Sequence, residues 1–176
     1  MKKDFKLEVA KIENFGFIIE YQFENLNFVD ILKKEIKNNV GSMDYKTNVK
    51  GKMTDFKQFV KNKIFNDLLK ECIDVTYVLN IPKSNLVDAW GNILKKGDSV
   101  EEHSHYKCSL SGVLYLTENG PGTYFPQFNK TVDEKIGKVV LFNGNALHSV
   151  PVYKGNEDRY TIAFNFEEVA PWDETK

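Results

Sequence analysis

The residues best suited to chemistry in this chain are its histidines, which number only three in 176 residues. His103 and His105 are separated by one residue, and His148 follows at a distance. Alternate residues of a β-strand point to the same face, so the first two imidazoles can meet one ion while a later strand brings the third alongside. Neutral imidazole binds iron, zinc, copper and nickel alike. The spacing therefore predicts a metal site without naming the metal.

Arg159 is the second group with a defined chemistry. It follows His148 by eleven positions, which is enough to leave one strand, turn at Gly155 and enter the next. Its planar guanidinium can bind a carboxylate through two parallel hydrogen bonds. A surface ion pair with Glu157 or Asp158 is the commoner fate of an isolated arginine, and the spacing alone leaves both interpretations open.

The elements that must position these residues are short strands separated by Gly, Pro and Asn, a pattern typical of antiparallel sandwiches and barrels. We expect strands at about 86–95, 100–106, 110–117, 122–126, 138–142, 148–153 and 159–167, and a short one near Thr131. Upstream, a hairpin is expected within residues 5–23. Seven or eight strands preceded by helices predict a mainly β (α+β) jelly roll with a helical layer on one side.

Two helices are predicted ahead of the strands. The first covers 28–37 with Asn27 as its N-cap, and the second runs from the N-cap Thr54 to about Val78 before Pro82 ends it. Their apolar stripes comprise Phe28, Ile31, Leu32 and Ile36 in the first, and Ile64, Phe65, Leu68, Leu69, Cys72 and Ile73 in the second. We expect these stripes to pack on one sheet.

Alternation along the strands predicts which side chains line a cavity. In the last strand Tyr160, Ile162, Phe164 and Phe166 share an apolar face, and Arg159, Thr161, Ala163 and Asn165 share the other. In an earlier strand Leu110, Leu114 and Leu116 oppose Ser109, Ser111, Val113 and Tyr115. The apolar faces should pack on the helices, leaving the polar faces to line a barrel. A half-solvated sheet would show the same alternation.

Length and composition limit the class of protein. Residues 1–176 are expected to form one domain, with a core at 86–168 and supporting strands and helices at 1–85. Lys and Arg number 24 against 25 acidic residues, a formal charge of −1, which does not favour nucleic acid or a membrane surface as partner. Two cysteines without a CxxC motif, and the lack of a leader or membrane-spanning run, favour a cytoplasmic protein.

Residues 90–165 resemble the Fe(II)- and 2-oxoglutarate-dependent oxygenases, particularly the prolyl-hydroxylase-like branch and small phage or bacterial relatives with a WxN…HxH…SGVxYL…GxLxxF…H…R core. The matching segments are Trp90 to Asn92, His103 to His105, Ser111 to Leu116, Gly122 to Phe125, Gly137 to Phe142, Leu147 to Pro151 and Arg159 to Thr161. Each motif is weak alone, but their order and spacing together are fairly specific.

This resemblance implies a double-stranded β-helix that holds Fe(II) and the cosubstrate 2-oxoglutarate inside the barrel. It implies an enzyme, a hydroxylase of a protein side chain or small molecule, that uses O2 and oxidatively decarboxylates 2-oxoglutarate to succinate. The distal carboxylate of the cosubstrate would bind Arg159, with Thr161 and Tyr115 donating hydroxyls and Asn92 nearby. The alternative for Tyr115 and Asn92 is that they only pack in the core and do not contact the cosubstrate.

One position departs from the family pattern. The usual triad is His-x-Asp/Glu…His, whereas residue 105 is histidine. His103, His105 and His148 are the expected metal ligands and catalytic residues, which gives the site one negative charge fewer than usual. The alternative is that Asp98, Glu101 or Glu102 supplies a carboxylate in place of His105.

Two other classes of protein fit part of the sequence. A cupin-type metalloenzyme, needing no 2-oxoglutarate, would explain the spacing of Gly97, His103 and His105, but the glutamate expected after the histidine pair is absent and Arg159 has no role in it. A non-catalytic jelly-roll binding module is the other. The sequence identifies neither the prime substrate nor the oligomeric state. The segments expected to select the substrate are 41–52, 95–100 and 128–135.

Overall fold

The computed structural model describes residues 5–10, 16–41, 47–73 and 84–168. Over these ranges the chain forms two α-helices and eleven strands. The helices are α1 (Val29–Asn39) and α2 (Lys63–Ile73). The strands are β1 (Phe5–Ala10), β2 (Gly16–Gln22), β3 (Lys52–Met53), β4 (Ser84–Leu94), β5 (Val100–His103), β6 (Leu110–Tyr115), β7 (Thr123–Phe125), β8 (Lys130–Val132), β9 (Lys138–Asn143), β10 (His148–Val150) and β11 (Arg159–Glu168).

The strands pair into two antiparallel sheets. The larger has the order β1-β2-β9-β6-β11-β4-β3, and the smaller has the order β5-β10-β7-β8. Ile18 and Phe142 of the large sheet share a buried cluster with Phe125 and Val132 of the small one, so the two sheets pack face to face. This is the predicted mainly β jelly roll, and the expected hairpin is β1–β2.

The helices cover the outer face of the large sheet. Leu32 and Ile36 of α1 and Phe65 of α2 belong to one buried cluster with Ile162 and Phe164 of β11. The apolar face of β11 thus packs on the helices and its polar face points into the space between the sheets, as the alternation predicts. The same division holds for β6, where Leu110 and Leu114 join the helix-side cluster.

Both predicted helix caps are wrong. Phe28, not Asn27, is the N-cap of α1 and makes no side-chain capping bond. Thr54 is fully buried, and its hydroxyl accepts a hydrogen bond from Gly91 N at 2.9 Å, which ties it to β4 and not to a helix. The second helix begins only at Lys63, and Asn62 Oδ1 accepts from Phe65 N at 2.9 Å, the N-cap geometry.

Smaller differences concern the ends of elements. Ile31 was expected in the buried stripe of α1 but is 52% exposed. Val29 is buried there with Leu32 and Ile36. The strand predicted at 100–106 ends at His103. Pro82 and the predicted end of the second helix lie outside the described residues. Among those described, no helix combines the length and apolar character needed to cross a membrane.

Candidate functional site

The three histidines meet at the edge of the small sheet. His103 on β5 and His148 on β10 lie directly opposite each other in the antiparallel pairing, and their ring centroids are 4.3 Å apart. His105 lies 5.0 Å from His103 and 5.3 Å from His148 by the same measure. One potential ligand atom from each ring lies within 4.8 Å of the other two. That separation suits three imidazoles converging on one ion.

His105 reaches this cluster by a route the sequence did not indicate. It follows the end of β5, and its backbone N donates to Gly144 O at 2.6 Å. A Cβ at Gly144 would stand 2.7 Å from His105 O and 2.1 Å from Cys108 O, so only glycine allows this close approach. Trp90 then contacts the ring edge-on, with centroids 6.2 Å apart. A glycine and an aromatic ring therefore orient His105 where a strand was expected to do so.

Hydrogen bonding fixes the tautomers of the other two histidines. His103 Nδ1 lies 2.7 Å from Glu101 O, and His148 Nδ1 lies 3.0 Å from Ala146 O. A carbonyl oxygen only accepts, so Nδ1 carries the hydrogen in both rings and each Nε2 presents a lone pair. This is the arrangement in which backbone carbonyls orient metal-binding imidazoles.

The cluster is uncharged at neutral pH. Burial and the neighbouring imidazoles together lower the pKa of His148 to about 3 and that of His105 to about 4, and burial lowers the pKa of His103. Burial is the larger cause of the first two shifts, and the neighbours contribute because a proton on one imidazole repels a proton on the next. Three neutral imidazoles are ready to bind a cation without first losing a proton.

The carboxylates considered as alternatives to His105 are not part of the converging group. Glu101 is exposed and pairs with Lys50 at 3.0 Å, Glu102 is exposed, and Asp98 Oδ2 accepts from Lys95 N at 2.7 Å. Among the described His, Cys, Asp and Glu residues, the group that converges here consists of the three histidines. The donor set is therefore all nitrogen.

A cavity opens from the histidines into the space between the sheets. It encloses about 540 Å³ not occupied by protein atoms, including its opening to solvent. Its lining includes the three histidines and the polar face of β11, comprising Arg159, Thr161, Ala163 and Asn165. A ligand in it would contact both the histidine cluster and Arg159.

Arg159 is buried, with a 2% exposed side chain, and does not pair with Glu157 or Asp158 as the surface alternative supposed. Its Nε donates to Glu134 Oε2 at 2.5 Å. Its Nη2 is buried without a hydrogen-bond partner. A buried guanidinium nitrogen left unpaired is costly in an interior. Arg159 lines the cavity, and its positive charge suits an anionic group there.

Asn92, Thr161 and Tyr115 form a row across three adjacent strands. Thr161 of β11 pairs with Asn92 of β4 on one side and with Tyr115 of β6 on the other. Asn92 Nδ2 donates to Thr161 Oγ1 at 3.3 Å, and Asn92 Oδ1 is buried without a partner. Because a hydroxyl both donates and accepts, either orientation of the amide keeps this bond and turns its other atom to the cavity.

Tyr115 lies behind the cavity wall. It is fully buried, its hydroxyl lies 2.6 Å from Thr123 Oγ1, and Thr123 lines the cavity in its place. The Arg159 guanidinium carbon lies 5.7 Å from the centre of the phenol ring. Burial raises the pKa of the Tyr115 phenol, so it is protonated at neutral pH.

An outer pocket adjoins the cavity at Trp90 and, by the same measure, encloses about 730 Å³ not occupied by protein atoms, including its opening to solvent. Trp90, His103, His105 and Asn165 border both spaces. Residues that border only the outer pocket are Thr47, Asn48, Phe56, Asp88 and Ser104. Trp90 Nε1 is buried without a partner, so this wall also offers a hydrogen-bond donor.

Sequence reasoning missed two contributors to the site. Glu134 sits in a polar loop whose composition carries no sign of burial, and only the folded chain brings it to Arg159. Thr123 was included in a strand segment but given no role. Trp90 was matched to a motif, but its position between the two spaces was not predicted.

No protein-family model matches the chain, and no curated protein is significantly similar to it in sequence. Solved structures do match its fold. A viral collagen prolyl hydroxylase from Paramecium Bursaria Chlorella virus-1, in complex with 2-oxoglutarate, superposes with a TM-score of 0.69 at 16% identity over 86% of this chain and 96% of that one.

Two further structures extend this likeness. A prolyl-4-hydroxylase from Pseudomonas putida gives a TM-score of 0.60 at 15% identity, covering 86% of this chain and 92% of that one. HygX from Streptomyces hygroscopicus, with nickel and 2-oxoglutarate bound, gives a TM-score of 0.65 at 11% identity. The match covers 86% of this chain and 83% of that one. The chain therefore has the double-stranded β-helix fold of the 2-oxoglutarate oxygenases.

Proposed function

We propose that this chain is an Fe(II)- and 2-oxoglutarate-dependent oxygenase, a hydroxylase of an unidentified protein side chain or small molecule. One observation carries the proposal above the others. Arg159, whose Nη2 has no hydrogen-bond partner, lines the same cavity as His103, His105 and His148, whose nitrogens converge. A dicarboxylate that chelates a metal needs these two features together. The fold likeness to structures holding 2-oxoglutarate agrees with it.

The residues present fit both groups. Three neutral imidazoles are suitable ligands for Fe(II), and a three-nitrogen set leaves positions open for a chelating cosubstrate. Bound Fe(II) and 2-oxoglutarate would supply the oxidation, with O2 consumed and succinate released. Arg159 would hold the distal carboxylate by charge-assisted hydrogen bonds, and Thr161 would add a hydroxyl.

The remaining polar groups orient that ligand. Asn92 fixes the Thr161 hydroxyl from the neighbouring strand, and Tyr115 acts on the carboxylate through Thr123. Trp90 separates the cavity from the outer pocket, where we place the prime substrate. Because that pocket reaches Thr47 and Asn48, part of the 41–52 segment takes part in substrate selection.

We also propose that residues 1–176 form one domain whose catalytic part is 86–168. We propose that the protein acts in the reducing cytoplasm. Cys72 and Cys108 form no disulfide, which agrees with that compartment.

The test is an anaerobic titration of the Fe(II)-loaded protein with 2-oxoglutarate. Chelation should produce a weak visible metal-to-ligand charge-transfer band that saturates with cosubstrate. Appearance of the band supports the oxygenase. Its absence with iron bound would contradict the proposal and favour a cupin-type metalloenzyme that uses no 2-oxoglutarate. Absence of iron binding as well would favour a non-catalytic jelly-roll protein.

A further inference from the structure

Glu134 is a carboxylate with no solvent exposure, held between Arg159 and Thr117. Its Oε2 accepts from Arg159 Nε at 2.5 Å, and its Oε1 accepts from Thr117 Oγ1 at 2.7 Å. Gly120 leaves room for it, since a Cβ there would stand 2.2 Å from Glu134 Oε2. Both carboxylate oxygens are therefore occupied, and the side chain is confined from three sides.

This contact determines how Arg159 faces the cavity. Nε carries a single hydrogen, and the bond to Glu134 uses it. Nη2, at the terminal edge of the guanidinium, has no partner in the protein and is left for a ligand. Glu134 thus prevents the guanidinium from turning Nε toward the cavity.

The same contact neutralises the arginine before any ligand binds. A distal carboxylate arriving at Arg159 would form a buried set of two anions and one cation. Carboxylates that share one guanidinium repel each other, and this repulsion is strong where water is excluded. Glu134 therefore favours binding by orienting Arg159 and opposes it through its charge.

We propose that Glu134 is a positioning residue for Arg159 and an internal counter-ion that limits the affinity for a dicarboxylate cosubstrate. This inference rests on the proposed function, because it concerns the binding of 2-oxoglutarate at Arg159. The two effects of Glu134 are separable by substitution.

Glu134→Gln removes the charge and keeps the shape. The amide oxygen still accepts from Arg159 Nε, and the amide nitrogen can donate to the Thr117 hydroxyl. We expect about tenfold tighter binding of 2-oxoglutarate to the Fe(II)-loaded variant in anaerobic calorimetric titration. Glu134→Ala also removes the orienting bond, so its affinity should fall below that of the E134Q variant.

Two controls isolate the effect. 2-Oxopentanoate has the same 2-oxo acid end but no distal carboxylate, so its affinity should be equal in the wild type and in the E134Q variant. Glu20→Gln removes a carboxylate from another ion pair, with Lys130 and Lys138, that does not line the cavity, and it should not tighten 2-oxoglutarate binding.

A thermal readout tests the same idea without activity. Uncompensated charge at Arg159 should lower the melting temperature of the ligand-free E134Q variant, and 2-oxoglutarate should raise it by more than in the wild type. Unchanged or weaker 2-oxoglutarate affinity in the E134Q variant would overturn the inference. Failure of the wild type to bind 2-oxoglutarate would instead overturn the proposed function.

Discussion

The three histidines differ in how the protein holds them. His103 and His148 are anchored by strand pairing and by backbone carbonyls, whereas His105 depends on the close approach of Gly144 and on Trp90. The oxygenase motif that this sequence resembles has a carboxylate where His105 stands. The ligand role of His105 is therefore the first feature of the site to test by substitution.

His105→Asp should preserve or tighten Fe(II) binding if residue 105 contacts the metal. A carboxylate adds a negative charge to a set of neutral ligands, which favours a divalent cation. We expect an equal or lower Fe(II) dissociation constant in anaerobic titration, and a rise of roughly tenfold or more for His105→Ala. Fe(II) affinities unaffected by either change would place His105 outside the ligand set.

Arg159→Ala should abolish the cosubstrate site while sparing the metal. Loss of a buried charged partner typically costs enough to weaken binding by roughly 100-fold or more. The change also leaves the Glu134 carboxylate buried and unpaired, so a double variant with Glu134→Gln restores neutrality and serves as the matched control. Titration with 2-oxoglutarate and with Fe(II) measures both sites, and retained 2-oxoglutarate affinity in both variants would contradict the assignment.

Residue spacing located the groups that form the site, but not their partners. The HxH pair and the distant His148 are visible in the sequence, as is Arg159 on the polar face of its strand. The role of Glu134 could not be predicted, because the local sequence around a buried acidic residue does not differ from that around an exposed one. Burial of a charge depends on a partner from another element, here 25 residues away along the chain.

At the scale of elements, periodicity predicted every strand from 84 to 168 and the faces of β6 and β11. The helix caps failed for a physical reason. Thr and Asn favour N-caps because their side chains accept hydrogen bonds from backbone N–H groups that lack a backbone partner. Such groups also occur outside helices, and the same side chains can bind them there. Thr54 binds the N–H of Gly91 in a neighbouring strand, and Asn62 caps the helix.

The contact between α1 and β4 depends on Gly91. A Cβ at this position would stand 2.4 Å from Ile36 Cγ1, and Ile36 is fully buried. Gly91→Ala should therefore lower the free energy of unfolding by about 1–3 kcal/mol through overpacking. Ile36→Ala should cost about 2–5 kcal/mol through a cavity.

Combining the two changes distinguishes overpacking from a loss of backbone freedom. The alanine at 36 makes room for the new methyl group, so the double variant should be less destabilised than the sum of the single changes, by about 0.5–3 kcal/mol. Urea unfolding of the four proteins gives the coupling. Strict additivity would show that the strain at Gly91 does not arise from Ile36.

On the scale of the whole molecule, the site requires both sheets at once. The small sheet supplies His103 and His148, and the large sheet supplies Arg159, Thr161 and Asn92. The sequence could not predict that β2 joins β9 at one side of the large sheet, because pairing between distant segments leaves no local pattern. The stability of the site is thus tied to contacts between sheets.

Glu20 is one such contact. It lies on β2, and its two oxygens accept from Lys130 of β8 and Lys138 of β9, each at 2.9 Å. Burial raises the pKa of this carboxyl, but the hydrogen bonds and charges of the two lysines together outweigh it, so the pKa lies below its ordinary value of 4.5. The folded protein therefore prefers the ionised form of Glu20 more than the unfolded chain does.

Glu20→Gln should lower the free energy of unfolding at pH 7 by about 1–3 kcal/mol. A lowered pKa stabilises the fold above the unfolded value, and that contribution is lost as the pH falls through the folded value. The difference between wild type and variant should hold steady from pH 7 to about 5 and narrow below that. Urea unfolding across this range measures it, with Asp67→Asn, which removes an exposed pair with Lys63, as a control expected to change little. A difference that stays constant down to pH 3.5 would show that Glu20 stabilises the contact between the sheets by shape and not by charge.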